Sequence, residues 1–146
     1  MPVTSVALER VRTICLALPG TSEKKAWGEA TFRVANRMFA MTDNNHHDAG
    51  RVAVWCKATI LDQALLVAAQ RKHCFVPPYV GVKGWVGVRV DGRPNWNLVT
   101  EMLVAAWRLT APPKLVAALS APEARRAPSG AGRASRRRPR GRTRGA

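Results

Sequence analysis

Lys83-Gly84-Trp85 places a cation, a flexible backbone position and an indole in immediate succession. An ammonium attracts phosphate, a glycine admits close approach of another backbone, and an aromatic face stacks on a base or wedges between bases. Gly81, Gly84 and Gly87 suit a structural turn equally well, with Trp85 packed on Pro77 or Pro78. Arg33 and Arg37 are further candidate phosphate ligands, with Trp27, Phe32 and Phe39 as candidate stacking partners. The alternative puts those aromatics in the core and leaves Arg33 solvated. The densest charge is C-terminal: Arg133, Arg136, Arg137, Arg138, Arg140, Arg142 and Arg144. Each arginine that neutralises a phosphate releases a condensed counterion, so affinity falls with salt, and such contacts carry no sequence information. A coding sequence drifting towards Ala, Arg, Gly and Pro would leave the same composition without any function.

Other chemistry is sparse. His46-His47-Asp48 and His73-Cys74 hold metal-ligating types, but neither has a third or fourth ligand at a suitable spacing, so a solvated loop is expected at 43–50. There is no G-x-S-x-G, no H-E-x-x-H, no paired-carboxylate pattern and no glycine-rich phosphate loop. The expectation is a non-catalytic protein without cofactor or metal. Cys15, Cys56 and Cys74 are odd in number and lie in apolar stretches, which points to reduced, buried thiols. The chain carries 24 Lys+Arg against 9 Asp+Glu, a formal charge of +15. Nine arginines and Glu123 after Leu119 give +8 of this, and residues 1–119 give +7. Polyanions are the natural partners of both parts. The apolar run Ile14–Leu18 is short and follows Glu9, Arg10 and Arg12, unlike a signal peptide, and no run is long enough to span a bilayer. A soluble cytoplasmic protein is expected, associated with the nucleoid if it holds DNA, and not with membranes.

The elements that must position these residues follow from periodicity. Val3, Ala7, Val11, Ile14 and Leu18 recur at helical spacing over 3–18, with Thr4 or Ser5 as cap, and Pro19-Gly20 stops the helix. Residues 30–42 read as a hairpin, Thr31–Val34 and Arg37–Thr42, turning at Ala35-Asn36. A strand over Arg51–Lys57 precedes a helix over Thr59–Arg71, with Thr59 as N-cap and Leu61, Leu65 and Ala68/Ala69 as its apolar stripe. After Pro77-Pro78 comes a strand over Trp85–Val90. Asn95 caps a helix over Trp96–Thr110, whose buried stripe is Val99, Leu103, Ala106 and Trp107. Pro112-Pro113 opens a last short turn through Leu119. Strands joined by short polar turns give an antiparallel sheet with helices on one face, a two-layer α+β domain over 1–119. Residues 120–146 contain almost only Ala, Arg, Pro, Gly and Ser/Thr after Ser120, and are expected to stay disordered.

Three blocks resemble the MmcQ/YjbR-like family: Trp27-Gly28-Glu29-Ala30-Thr31-Phe32-Arg33-Val34 running on to Met41, Pro77–Val86, and the helix bearing Trp96 and Trp107-Arg108-Leu109. Leu18-Pro19-Gly20 fits as well, and Glu29-Ala30 departs from the pattern, since many members carry a basic residue or His after Trp-Gly. The resemblance covers about residues 4–119. It implies an α-β-β-β-α-β-β-α domain shaped like secretion chaperones, in a family described as DNA-binding and lacking a defined catalytic set. The combined expectation is a non-catalytic DNA-binding protein, largely non-specific, with Arg33 and Arg37 on phosphate, Lys83 and Trp85 adding contacts, and the tail arginines supplying long-range attraction. The alternative is a protein-interaction module, a dimerising or chaperone-like domain, to which five tryptophans would contribute an exposed aromatic patch.

Overall fold

Two tight turns with positive φ at both central residues shape the first half of the sheet. They are Trp27-Gly28 (φ 53° and 78°) and Ala35-Asn36 (φ 51° and 67°). Such turns match the right-handed twist of the strands they join. The computed structural model describes residues 2–45 and 50–126. Helix α1 (Pro2–Leu16) is followed by β1 (Thr21–Ala26), β2 (Glu29–Val34), β3 (Arg37–Asn44) and β4 (Val52–Cys56). Then come α2 (Ile60–Ala69), β5 (Cys74–Phe75), a 3-10 turn (Val80–Lys83), β6 (Val86–Arg89) and α3 (Trp96–Thr110). The strands form one antiparallel sheet in the order β1-β2-β3-β4-β6-β5.

Register divides the sheet into two faces. One row of paired residues, Glu23–Phe32–Ala40–Cys56–Val86, lies on the helix side. There α1 supplies Val11 and Cys15, and α3 supplies Val99, Leu103, Ala106 and Trp107, all buried. The stripe expected on the last helix is the one that packs. The Trp107 indole also donates to the Pro19 carbonyl at 3.0 Å, tying α3 to the end of the first helical segment. The opposite row, Lys24–Thr31–Met41–Trp55–Gly87–Phe75, carries a second apolar cluster. Met41, Trp55 and Trp85 are buried in it, with Met38, Phe75 and Val80 packed around them. The cover on this face is the segment 75–85.

Two glycines let that segment lie down. A Cβ on Gly87 would run into the Phe75 ring, and one on Gly84 (φ 101°) would stand 2.8 Å from the Ile60 amide nitrogen. The Gln63 side-chain amide then donates to the carbonyls of Gly81 and Trp85, at 2.8 and 2.6 Å, fastening the segment to α2. Both expected caps form: the Thr59 hydroxyl accepts from the Asp62 amide, and the Asn95 carboxamide oxygen accepts from the Leu98 amide.

The structure departs from the sequence reading in four places. Strand β1 adds a fourth strand before α2; Thr-Ser-Glu-Lys-Lys-Ala has no apolar alternation because it is exposed along most of its length. Helix α1 starts at Pro2, so Thr4 and Ser5 lie inside it rather than capping it. In α2, Leu61 and Leu65 are exposed, and no residue of the helix is fully buried. The chain divides into two units after Ala111, and in the second a helix α4 (Pro113–Arg126) replaces the short turn expected through Leu119. Proline suits the first helical position, and Leu115, Ala117, Ala118 and Leu119 are strong helix formers.

Gly84→Ala should lower the unfolding free energy by about 2–4 kcal/mol in urea titration, because left-handed strain and backbone overlap act together. Ala35→Asn should raise it by about 0.5–1 kcal/mol, since asparagine tolerates the left-handed region better than alanine.

Candidate functional site

The few acids of the domain decide which cations remain available. Asp43, fully buried on β3, accepts from the Arg51 guanidinium at 3.1 Å and from the Trp55 indole at 2.9 Å. Arg51 also stacks on the Phe75 ring, 3.8 Å from its centroid. Asp91 accepts twice from Arg89, both at 3.0 Å, and once from the Val52 amide at 3.2 Å. Arg12 is held by Glu23 and Glu9. These arginines spend their charge within the protein.

Among the described cations outside those pairs, three act on one another. Arg37 opens β3 just after the Ala35-Asn36 turn, Lys57 follows the last residue of β4, and Lys83 ends the 3-10 turn. Burial lowers the Lys57 ammonium pKa, and the charges of Arg37 and Lys83 lower it further, which places the three cations within electrostatic reach of one another. Among the described residues, none of the three has an acidic partner. Like charges held together without a counter-ion favour an anion from solution. Arg37 and Lys83 were both expected as site residues. Lys57, known from the sequence only as the end of a strand, had no motif to mark it.

The remaining candidates are distributed. Arg33 sits in the row Ser22–Arg33–Met38 on the sheet face opposite the helices, half-buried, its Nε donating to the Thr31 hydroxyl at 3.2 Å. Trp85 is 5 % exposed and offers no face to a base, which corrects the expectation that it stacks or wedges. It seals the second cluster because the hydrophobic cost of leaving Met41 and Trp55 bare is larger than any gain at the surface. Phe32 and Phe39 are fully buried. The exposed aromatics are Trp27 (66 %) at the β1–β2 turn and Tyr79 (71 %) in the covering segment. Tyr79 has φ 63° and ψ −66°, and the Val80 amide donates to the Pro78 carbonyl at 2.6 Å. This is a γ-turn of the strained kind, which holds the tyrosine outward two residues before Gly81-Val82-Lys83 begins. Val76, Val82, Ile60 and Leu61 are exposed as well, with Val76 against Gly81 and the Ile60 amide against Gly84.

The thiols are sited for packing. Cys15, Cys56 and Cys74 are buried, and burial pushes all three up, Cys74 to about 11, so the nucleophilic thiolate is disfavoured. Among the described residues no group of three or more His, Cys, Asp or Glu is arranged to hold a metal. His46, His47 and Asp48 lie outside the described residues, as do Arg133, Arg136, Arg137, Arg138, Arg140, Arg142 and Arg144. No helix of the described residues is long and apolar enough to cross a membrane.

Sheet order, the helical layer and the loop-sealed second face define a small α+β domain, and Arg37, Lys57 and Lys83 form a basic cluster on it. The family model described as YjbR matches residues 16–109, and the chain belongs to the YjbR family. In fold it is similar to the crystal structure of the Deinococcus radiodurans protein DR2400, described as a DUF419 domain, with a TM-score of 0.60 and 23% identity over 70% of this chain and 76% of that one. No curated protein matches the chain.

Asp91 supplies a pH dependence. Burial alone would raise its carboxyl, but the hydrogen bonds from Arg89 and the Val52 amide outweigh this and hold it below the ordinary value. A folded-state pKa below the unfolded one gives stability that is complete above the unfolded value and is lost as pH falls through the folded value. Unfolding free energy should therefore decline below about pH 4, and the decline should be shallower in Asp91→Asn when urea titrations are compared across pH.

Proposed function

We propose that this protein binds DNA without catalysing a reaction, its folded domain holding phosphates on Arg37, Lys57 and Lys83. The observation that carries this reading is the convergence of those three cations, from a hairpin, a strand end and a loop, with no acidic partner among the described residues. Arg33 would extend the contact along the open part of the sheet. The tail arginines would add non-specific attraction that any duplex satisfies. The exposed aromatic of the 75–85 segment is Tyr79, so base stacking falls to it rather than to Trp85. Tyr79 and Trp27 would contact unpaired or distorted bases, while the cations track the backbone.

A protein-interaction module is favoured by one observation, the exposed apolar group Ile60, Leu61, Val76 and Val82 around the same loop. The two readings separate in one experiment on the full chain. Duplex-DNA affinity is measured across a salt series for the parent and for Arg37→Ala/Lys83→Ala, with far-ultraviolet circular dichroism as a check on folding. Loss of two phosphate contacts should flatten the log-affinity against log-salt slope by about 1.8 and weaken binding at every salt concentration. An unchanged slope in a folded variant would mean that the domain does not touch the backbone, and the interaction module becomes the better reading.

A further inference from the structure

Helix α2, Ile-Leu-Asp-Gln-Ala-Leu-Leu-Val-Ala-Ala, is apolar at eight of its ten positions, yet none of its residues is buried. A helix of this composition normally loses most of its surface to a core. Here it stands away from α3, and a cleft of about 600 Å³ opens between them. The floor is Cys56 and Val86 of the sheet, and the walls include Leu65, Leu66, Leu98 and Met102. That volume lies within the range of small-molecule sites, which are apolar in the main with a few placed polar groups.

One of its polar groups is Lys57. It lines the cleft, is half-buried, and has Arg37 and Lys83 as its charged neighbours. Asp62 and Glu101 also line the cleft, but both are exposed to solvent, and neither figures among the charges that act on Lys57. Arg108 on α3 lines it as well. The cleft thus combines an unfilled apolar wall with a cation already partly stripped of water and lacking a counter-charge.

We propose that the cleft between α2 and α3 is a binding site for an amphipathic carboxylate, an aliphatic or aromatic acid whose apolar body packs on Leu65, Leu66, Leu98 and Met102 and whose carboxylate pairs with Lys57. This goes beyond the DNA reading, which assigns the same cations to phosphate. The body of the ligand covers the apolar surface that α2 leaves bare. Its charge relieves the repulsion among Lys57, Arg37 and Lys83. A neutral alcohol of equal length would gain the first contribution and forgo the second. A phosphate diester would gain only the charge term.

The test uses octanoate and octanol as probes with the full chain, by isothermal titration calorimetry and by methyl shifts in NMR spectra. Octanoate should bind more tightly than octanol and shift the Leu65, Leu66, Leu98 and Met102 methyl signals. Ala105→Trp fills the cleft from an exposed position of α3, so it should fold normally and lose octanoate binding by about tenfold or more, a difference of about 1.4 kcal/mol. Lys57→Met should weaken octanoate while leaving octanol unchanged. Equal binding of the two probes, unchanged binding in Ala105→Trp, or shifts confined to other residues would overturn the proposal. A concentration-dependent dimer burying α2, seen by sedimentation and resistant to octanoate, would overturn it too, because a second copy would then occupy the cleft. Ala105→Trp leaves the three cations in place, so its DNA affinity reports on the other reading independently.

Discussion

A phenylalanine ring and a side chain at position 87 cannot occupy the same space, and the second face of the sheet is organised around that exclusion. Because residue 87 is glycine, Phe75 lies flat across β6 and the chain after it can turn back over Met41 and Trp55. Gly84 then seats the returning backbone against Ala58–Ile60, and Trp85 drops into the cluster. A segment with one 3-10 turn and no α-helix or long strand does the work that a layer of helices does on the other face. Lys83 arrives beside Lys57 as a by-product of this packing. The electrostatic character of the surface is therefore set by steric events one layer below it.

Charge selection follows the same logic. The domain is only moderately basic, and several of its arginines are committed to buried or half-buried carboxylates. Asp43 serves both Arg51 and Trp55, so it joins the ionic and apolar parts of the second face in one contact. Removing either partner of such a pair is costly, because the other is left charged in a poor solvent. Among the described cations outside those pairs, Arg37, Lys57 and Lys83 are close enough to act on one another. Placement, more than net charge, separates a surface that attracts an anion from one that is merely soluble.

Much of this was legible in the sequence. The turn at Ala35-Asn36, the caps Thr59 and Asn95 and the buried stripe of α3 all follow from local rules, because each rests on contacts within a few residues. Strand β1 was not legible, since a strand exposed along most of its length carries no apolar period to read. Trp85 could be read two ways because Lys-Gly-Trp suits a ligand loop and a core plug alike; packing on Met41 and Trp55, far away in sequence, decides between them. Lys57 was silent for a related reason. Its meaning depends on Arg37, twenty positions before it, and on Lys83, twenty-six after it, and no short motif encodes such separations.

The two borders of the sheet carry a consequence of their own. At one side, β1 presents Glu23, Lys24 and Lys25 in succession; at the other, β5 is two residues long. Neither border is a good template for a foreign strand, the first because charges would meet an incoming chain, the second because it offers too few free amides and carbonyls. Fibrous stacking and peptide capture by strand addition are both disfavoured by this design. Recognition is thereby directed away from the main chain and onto side chains that stand on the faces of the molecule.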